Sequence, residues 1–201
     1  MAVTAFLHQK GGTGKSTLAI AAAIALARKG RPVLLVDADP QGTVSEWGNR
    51  FGKRFGVETH THFQPNFPAL LTPLRRQWPT ILIDGPPSLS DVTESILKAS
   101  DRVIIPVRPS LPDLWALPWF VAVVRKLQRE GRALHALLLF NVYRGEPLEP
   151  LLAEVKDWSI PVWAEPIPAD AALAGLFAGG ELPEALAESI LRLVEEPDSA
   201  A

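Results

Sequence analysis

Residues 2–28 are AVTAFLHQKGGTGKSTLAIAAAIALAR, and this stretch decides the fold. It begins with a short apolar run, Ala2–His8, which predicts a buried strand. It ends with Lys15–Arg28, a segment rich in Ala, Leu and Ile that predicts a helix, with Gly30 placed as its C-terminal cap. The three glycines between the two segments allow a tight backbone turn. A strand, a glycine-rich turn and a helix therefore follow one another directly.

The rest of the chain continues this alternation of apolar runs and amphipathic segments. Further strands are predicted at Pro32–Asp37, Val57–His62, Thr80–Asp84, Arg102–Val107, Ala133–Asn141 and Ile160–Trp163. Further helices are predicted at Gln41–Phe51, Pro68–Gln77, Asp91–Ala99, within Asp113–Glu130, and at Glu146–Trp158 and Glu181–Glu195. The helix that contains Pro118 either begins near Leu117 or is kinked at the proline. We expect an α/β fold with a doubly wound, mostly parallel sheet and helices on both faces, built by residues 1–195 as one domain, with a short tail at 196–201.

The composition excludes several classes of protein. The 201 residues include no cysteine, which rules out disulfides, thiolate zinc sites, iron–sulfur clusters and a cysteine nucleophile. With 47% hydrophobic residues, 21% charged residues and a net charge of −2, the chain is globular, and contact with nucleic acid requires a local basic patch. No apolar stretch is long enough for a membrane span and no signal peptide is evident, so we expect a cytoplasmic protein without a membrane partner.

The turn between the first strand and the first helix is predicted to bind phosphate. A parallel sheet binds ligands at the carboxyl ends of its strands, and successive backbone N–H groups of a glycine-rich loop form a cavity for an anion. Lys15 would neutralise the β- and γ-phosphates of a nucleotide, and the Ser16 hydroxyl would bind Mg²⁺. The residues expected to contact the nucleotide here are Lys10, Gly11, Gly12, Thr13, Gly14, Lys15, Ser16 and Thr17.

The loop departs from the common phosphate-loop pattern in one place. Gln9 stands where that pattern has glycine, and Lys10-Gly11-Gly12 follows. This arrangement resembles the deviant Walker A loop of the ParA/MinD family of P-loop ATPases. Four further segments resemble motifs of that family, namely Val36–Gln41, Ile81–Pro87, Ile104–Ser110 with the following Asp113, and Phe140-Asn141. The resemblance extends from residue 2 to about residue 195 and is closest to the short plasmid-partition type.

Three carboxylates are candidates for the metal and the attacking water. Asp84 ends a buried strand beside the phosphates, where it would orient Mg²⁺ through a water, although it could instead cap the next helix. Asp37 and Asp39 alternate at the end of the neighbouring strand, so only one of them is expected to face the γ-phosphate. The resemblance implies that Asp39 positions the attacking water and contributes to the metal site, and leaves Asp37 as a switch-loop or metal-shell residue.

The resemblance also implies a role for Lys10. In the ParA/MinD family this extra lysine reaches across a two-fold interface to the partner's nucleotide, so that ATP controls dimerisation. A lysine that contacts its own nucleotide or solvent is the alternative. Asn141 is expected to contact adenine, with a strand-end turn residue as the alternative. Pro168, within residues 166–170, is expected to line the other side of the base.

Two less specific features remain open. His60 and His62 project to one side of a predicted strand, which is the spacing of two metal ligands, but no nearby third ligand is evident and a polar strand face is the favoured interpretation. Trp115 and Trp119 lie one helical turn apart and Phe120 follows, which favours a core or dimer-facing stripe, with a partner-docking groove as the alternative.

Basic residues cluster in segments 50–54 and 125–132, and such clusters are usually solvated helix faces. The resemblance implies that they bind DNA non-specifically in the ATP-bound dimer. The segment from Leu182 onward is rich in glutamate and poor in basic residues, so no basic membrane-binding helix is expected there.

Together these features predict a ParA-type switch ATPase for DNA segregation. Its cofactors would be ATP and Mg²⁺. Its partners would be a second copy of the chain, non-specific DNA of the nucleoid, and a ParB-like or other cargo adaptor that stimulates slow hydrolysis. The alternatives are a positioning ATPase for a non-DNA cargo, a small-molecule biosynthetic enzyme resembling dethiobiotin synthetase, and a nucleotide-binding scaffold with negligible turnover.

Overall fold

Seven parallel strands form the centre of the computed structural model, which describes residues 2–195. The strands are β1 (Ala2–Phe6), β2 (Val33–Asp37), β3 (Glu58–Thr61), β4 (Thr80–Asp84), β5 (Arg102–Val107), β6 (His135–Tyr143) and β7 (Ile167–Pro168). Their order across the sheet is β3-β2-β4-β1-β5-β6-β7, and each neighbouring pair is parallel. The predicted α/β fold is therefore confirmed.

Helices cover both faces of this sheet. The helices are α1 (Lys15–Arg28), α2 (Thr43–Trp47), α3 (Lys53–Phe55), α4 (Phe67–Leu74), α5 (Asp91–Ala99), α6 (Leu111–Leu114), α7 (Pro118–Arg129), α8 (Glu149–Val155), α9 (Ala171–Gly175) and α10 (Glu184–Glu195). One wide turn, Gly48–Gly52, joins α2 to α3. Helices α1, α9 and α10 pack on one face, and α4, α5, α7 and α8 pack on the other.

Helix α1 owes its position to its sequence. Its residues 18–26 are apolar all around the helix, and each is at most 1% exposed. A helix of this kind is stable only when it is enclosed on all sides, and here the sheet and α10 enclose it. The helix is therefore held firmly at the point where its N-terminus meets the glycine-rich turn.

Several predicted boundaries differ from the structure. Ile160–Trp163 does not form a strand but isolated bridges, among them Leu138 with Val162, because Pro161 has no N–H with which to extend the ladder. The edge of the sheet is instead the two-residue strand β7. The helix predicted from Glu146 begins at Glu149, and the one predicted from Gln41 begins after Gly42, whose φ of 69° ends the preceding turn.

Helix α7 and the residues near it bear on two of the predictions. The helix begins at Pro118, which occupies its first position, so the proline does not kink it. Phe120 is buried, but Trp115 and Trp119 are 61% and 63% exposed, so the two tryptophans do not belong to the core, while a dimer-facing stripe and a partner-docking groove both stay predictions. No helix in the described part of the chain is both long and apolar enough to cross a membrane.

The histidine pair on β3 is a polar strand face. The rings of His60 and His62 are stacked with their centroids 6.5 Å apart, and His62 Nε2 forms a hydrogen bond with Asn66 Oδ1. Among residues 2–195 no group of three or more His, Cys, Asp or Glu side chains could hold a metal ion. The structure thus provides no third ligand for the histidines.

Candidate nucleotide-binding site

The glycine-rich turn lies between β1 and α1, at the carboxyl edge of the sheet. Gly12 and Gly14 have φ values of 74° and 92°, a left-handed conformation that favours glycine. A Cβ on Gly14 would lie only 2.2 Å from Nδ2 of Asn141, so this close approach also requires glycine. Asn141 Nδ2 donates a hydrogen bond of 2.8 Å to the carbonyl oxygen of Thr13. The end of β6 thereby holds the loop in place.

Three buried polar residues, His8, Lys15 and Asp84, form what we call the floor of the loop. Lys15 is 6% exposed, and its Nζ donates to the carbonyl oxygen of Lys10 across the loop at 3.3 Å. Burial lowers the pKa of Lys15, whereas the negative charges of Asp84 and Asp39 oppose that shift. The ammonium group therefore lies inside the loop, where a phosphate would meet it.

Asp84 is the second member of the floor. It is fully buried, and neither carboxylate oxygen has a hydrogen-bond partner within residues 2–195. Burial raises the pKa of Asp84 to about 7; the negative charge of Asp37 adds to the rise, and the nearby Ser16 hydroxyl and Lys15 ammonium oppose it. The alternative role as a helix cap is wrong, because Ser90 caps the following helix. A buried carboxylate without a partner suits a cation, and Mg²⁺ needs only one or two protein oxygens because it keeps several waters.

Asp37 and Asp39 have different surroundings. Asp37 is fully buried, and its oxygens accept hydrogen bonds from the backbone N–H groups of Asp39 and Ser45, at 3.1 and 2.7 Å, and from the Ser45 hydroxyl at 2.8 Å. Asp39 is partly exposed, and within residues 2–195 it accepts only from the N–H of Gln41, at 3.0 Å. Asp37 thus fixes the turn after β2, and this turn leaves the carboxylate of Asp39 accessible.

His8 completes the floor. It is 1% exposed, and its Nδ1 accepts a hydrogen bond of 2.8 Å from the backbone N–H of Lys10. Burial, assisted by the positive charge of Lys15, lowers the pKa of His8 to about 4. A neutral imidazole therefore supports the loop from below.

Lys10, Arg108 and Asp113 form what we call the rim of the loop. Lys10 Nζ lies 2.6 Å from Asp113 Oδ1, and the Lys10 side chain is 48% exposed. The Ser110 hydroxyl donates to the other Asp113 oxygen at 2.6 Å. Partial burial raises the pKa of Asp113, but the hydrogen bonds from Lys10 and Ser110 outweigh it, and the pKa lies below its usual value. The rim lysine therefore has an internal partner.

A cavity of about 420 Å³ opens beside the loop, on the side of β6. Its lining includes Gly14, Asn141, Pro168, Arg144 and Phe177. Its volume lies in the range of small-molecule sites. Asn141 thus both supports the loop and borders the cavity, and Pro168 lies in β7, whose pairing with β6 contains a bulge between Asn141 and Tyr143.

The structure brings the predicted phosphate-loop residues, Asp39, Asp84, Asn141 and Pro168 to one edge of the sheet. It also places there three residues whose role the sequence did not indicate, namely Arg108, Arg144 and Phe177. Arg108 directly follows a buried strand and lies within Ile104–Ser110, the segment that resembles a motif of the ParA/MinD family, but neither signal assigned it a role. No sequence pattern indicated that Arg144 and Phe177 would line the cavity. Their positions there depend on β7 and α9, which were not predicted.

Comparison with known proteins identifies the family. The model of the CobQ/CobB/MinD/ParA nucleotide binding domain, CbiA, matches residues 4–183. The chain is 37% identical over 143 residues to the maintenance of carboxysome distribution protein A of Gloeobacter kilaueensis, a match that covers 70% of this chain and 63% of that protein. It is 33% identical over 178 residues to the chromosome-partitioning ATPase Soj of Thermus thermophilus, covering 72% of this chain and 70% of that protein.

A solved structure shares the fold. Cobyrinic acid a,c-diamide synthase from Mycobacterium smegmatis, determined with a bound ATP analog and magnesium, superposes with a TM-score of 0.74 at 24% identity, over 96% of this chain and 95% of that chain. The match to the carboxysome protein spans less than two thirds of that relative's length. The chain belongs to the CobQ/CobB/MinD/ParA family of nucleotide-binding domains, as its resemblance to the ParA/MinD ATPases predicted.

Proposed function

We propose that the chain is an Mg²⁺-dependent ATPase in which ATP binding joins two copies and hydrolysis separates them. The observation that carries this proposal is the position of the two lysines of the loop. Lys15 occupies the inside of the loop, whereas Lys10 stands at its mouth, half exposed. A second cation outside the loop is suited to phosphates that approach from another molecule.

The residues of the site divide the chemistry among them. Lys15 and the loop N–H groups would hold the phosphates, and Ser16 with Asp84 and Asp39 would hold Mg²⁺ directly or through water. When bound, Mg²⁺ neutralises the charge that develops on the transferred phosphoryl group. Asp39 is the accessible carboxylate beside the loop, so it would orient the attacking water. The cavity lined by Asn141 and Pro168 would hold adenine.

DNA binding is the second part of the proposal. Of the two basic segments, the one on α7 carries more unpaired charge. Arg125 and Arg129 are exposed and form no ion pair within residues 2–195, whereas Arg50 and Arg54 are paired with Glu46 and Glu181. An ATP-bound dimer would present the α7 arginines twice, which favours non-specific contact with the phosphates of nucleoid DNA.

The α7 surface is testable by charge removal. We expect the double variant Arg125→Gln/Arg129→Gln to weaken ATP-dependent DNA binding in gel shifts and to flatten its salt dependence. Arg50→Gln, which removes a paired arginine, is the matched control. Unchanged DNA binding by the double variant would contradict the assignment of DNA contact to α7.

The switch itself is tested by the mass of the protein with different nucleotides. We expect light scattering to show two copies with Mg²⁺ and a non-hydrolysable ATP analogue, and one copy with ADP. Phosphate release should be slow, and DNA together with a ParB-like or other cargo adaptor should stimulate it. Hydrolysis of ATP by a persistent monomer would favour a biosynthetic P-loop enzyme, and dimers without stimulated turnover would favour a scaffold.

The cargo has two candidates. DNA segregation is supported by the 33% identity to the partition ATPase Soj. Positioning of a protein assembly is supported by the 37% identity to the carboxysome distribution protein. Deletion of the gene discriminates between them. Loss of a plasmid or chromosome from dividing cells indicates DNA cargo, whereas stable inheritance with clustered protein assemblies indicates the second.

A further inference from the structure

Arg108 occupies a position on the loop that none of the roles above explains. It directly follows β5, which pairs with β1, so the chain after β5 runs beside the glycine-rich turn. Arg108 Nε donates a hydrogen bond of 3.0 Å to the carbonyl oxygen of Gly12. Its Nη2 lies 3.1 Å from the point that a Cβ on Gly12 would occupy. The guanidinium group is therefore fixed to the phosphate loop itself.

The charge of this guanidinium group is not compensated. Within residues 2–195, Arg108 forms no ion pair and donates no hydrogen bond from Nη1 or Nη2. Other exposed arginines, such as Arg31, Arg50 and Arg54, are paired with glutamates. Asp113 lies close enough for its carboxylate to be influenced by Arg108, but Lys10 and Ser110 already occupy its oxygens. Arg108 thus has at least two N–H groups for an external anion.

The position along the loop indicates which part of a nucleotide would provide that anion. The cavity suited to a base borders Gly14 and Thr17, whereas Arg108 is attached two residues earlier, at Gly12. A triphosphate that leaves the cavity passes Gly14 and Lys15 first, so its terminal phosphate is the part that reaches Gly12. Guanidinium groups bind phosphate oxygens through charge-assisted hydrogen bonds.

We propose that Arg108 is a γ-phosphate-binding residue, which donates from Nη1 and Nη2 to the terminal phosphate of the ATP held by its own loop. The inference rests on the proposed binding of ATP. It gives the loop three cations with separate positions: Lys15 inside, Lys10 at the mouth toward a partner, and Arg108 fixed to Gly12. An arginine that contacts only ATP, and not ADP, also distinguishes the two nucleotides.

The test compares two nucleotides in one variant. For Arg108→Gln we expect titration calorimetry with Mg²⁺ to show roughly tenfold weaker binding of a non-hydrolysable ATP analogue, because a charge-assisted contact is lost, and ADP binding within about twofold of the native protein. Retained ADP binding also shows that the variant is folded. Arg108→Lys keeps the charge but cannot bind the Gly12 carbonyl and the phosphate at the same time. Its affinity for the ATP analogue should therefore fall less than that of Arg108→Gln. Arg76→Gln, which changes an exposed arginine between α4 and β4, should alter neither affinity.

Several results would overturn the inference. Equal weakening of both nucleotides would mean that Arg108 only supports the loop, and unchanged affinities would mean that it remains in solvent. A second experiment asks whether Arg108 contacts the nucleotide of its own copy or that of the partner copy. The titrations with the ATP analogue and with ADP are repeated in the Lys10→Ala background, in which the copies should stay separate. In this background Arg108→Gln should still weaken binding of the ATP analogue and leave ADP binding nearly unchanged. If this selective loss disappeared, Arg108 would not contact the nucleotide of its own copy. If the native chain bound neither nucleotide, the proposed ATPase function would fail as well, which distinguishes the two failures.

Discussion

The floor and the rim of the phosphate loop each contain a lysine, and the two lysines have opposite environments. Lys15 in the floor is 6% exposed, and burial lowers its pKa. Lys10 at the rim has a side chain that is 48% exposed and is held by Asp113 at 2.6 Å. The two residues are only five positions apart in the chain, so the difference in their burial arises from the fold and not from their local sequence.

This difference separates a permanent task from a conditional one. A buried ammonium group among oxygen atoms of its own chain has little freedom to move and is suited to hold phosphate in every nucleotide state. An exposed lysine in an ion pair can exchange its partner at small cost, because such pairs contribute only about 0–1 kcal/mol. We therefore expect Lys15 in the floor to determine whether a nucleotide binds. We expect Lys10 at the rim to determine whether nucleotide binding joins two copies of the chain.

The largest expected effect follows from removal of the floor lysine. We expect Lys15→Ala to weaken both ATP and ADP by roughly 100-fold or more, because it removes a desolvated cation from the phosphates. Titration calorimetry with both nucleotides measures the effect. Lys29→Ala, which removes an exposed lysine paired with Glu184, is the control. Comparable losses in the two variants would show that the floor has no special role.

His8 should make the stability of the floor depend on pH. Its pKa is lowered from 6.5 to about 4 in the folded protein, so the unfolded chain takes up the proton first as the pH falls. The contribution of His8 to stability should decrease by roughly 3 kcal/mol between pH 6.5 and pH 4, since each pH unit of difference corresponds to about 1.4 kcal/mol. Asp84, whose pKa is raised to about 7, acts in the opposite direction over the same range, so the effect of His8 is read from the difference between the native protein and a His8 variant. Urea unfolding of the native protein and of His8→Asn measures this difference.

The loss should be absent from His8→Asn, because asparagine does not titrate in this range. His60→Asn, at an exposed position on β3, should retain the pH dependence of the native protein. If the difference in stability between the native protein and His8→Asn did not change between pH 6.5 and pH 4, the buried histidine would not contribute to the pH dependence.

The Asp84→Asn variant should be more stable than the native protein but should gain less ATP affinity from Mg²⁺. Asp84→Asn removes a buried charge that has no hydrogen-bond partner within residues 2–195, so thermal unfolding without ligand should occur at a higher temperature. The Mg²⁺-dependent gain in ATP affinity should fall by about tenfold, because a metal-orienting carboxylate is lost. A variant that was destabilised and bound Mg²⁺-ATP normally would contradict both expectations.

The smallest effect is expected at the rim. Asp113 competes with phosphate for Lys10, so Asp113→Asn should strengthen ATP-dependent dimers by about threefold, in keeping with the small energy of an ion pair whose lysine is half exposed. Sedimentation velocity at several protein concentrations measures the dimer affinity. Asp91→Asn, at an exposed position on α5, is the control. Weaker dimers would mean that Asp113 orients Lys10 for the partner instead of restraining it.

The central part of the fold could be predicted from the sequence, because its signals are local. The predicted boundaries of α1, β4, α5 and β5 coincide with those in the structure. Each is a continuous apolar run or an amphipathic segment with clear ends. Strand β7 and helix α9 were not predicted, because a two-residue strand and a five-residue helix carry little local signal and depend on their contacts with β6 and α1.

The same limit applies to the site. The phosphate loop is a contiguous motif, so its residues could be named before the fold was known. The pair of Lys10 and Asp113 joins residues 103 positions apart, and the bond from Arg108 to Gly12 joins residues 96 positions apart. No periodicity or spacing encodes such distant contacts. The buried role of Asp37, as a fixed support for the turn that carries Asp39, likewise required its three hydrogen bonds.

The role of the rim lysine is tested most directly by the mass of the protein in the presence of ATP. Light scattering would compare Asp39→Ala, which should bind ATP without hydrolysing it, with the double variant Lys10→Ala/Asp39→Ala at saturating Mg²⁺-ATP. If Lys10 joins the two copies, Asp39→Ala should form two copies and the double variant one, with ATP bound in both. Two copies in both variants, or a single copy of Asp39→Ala with ATP bound, would contradict this role of Lys10.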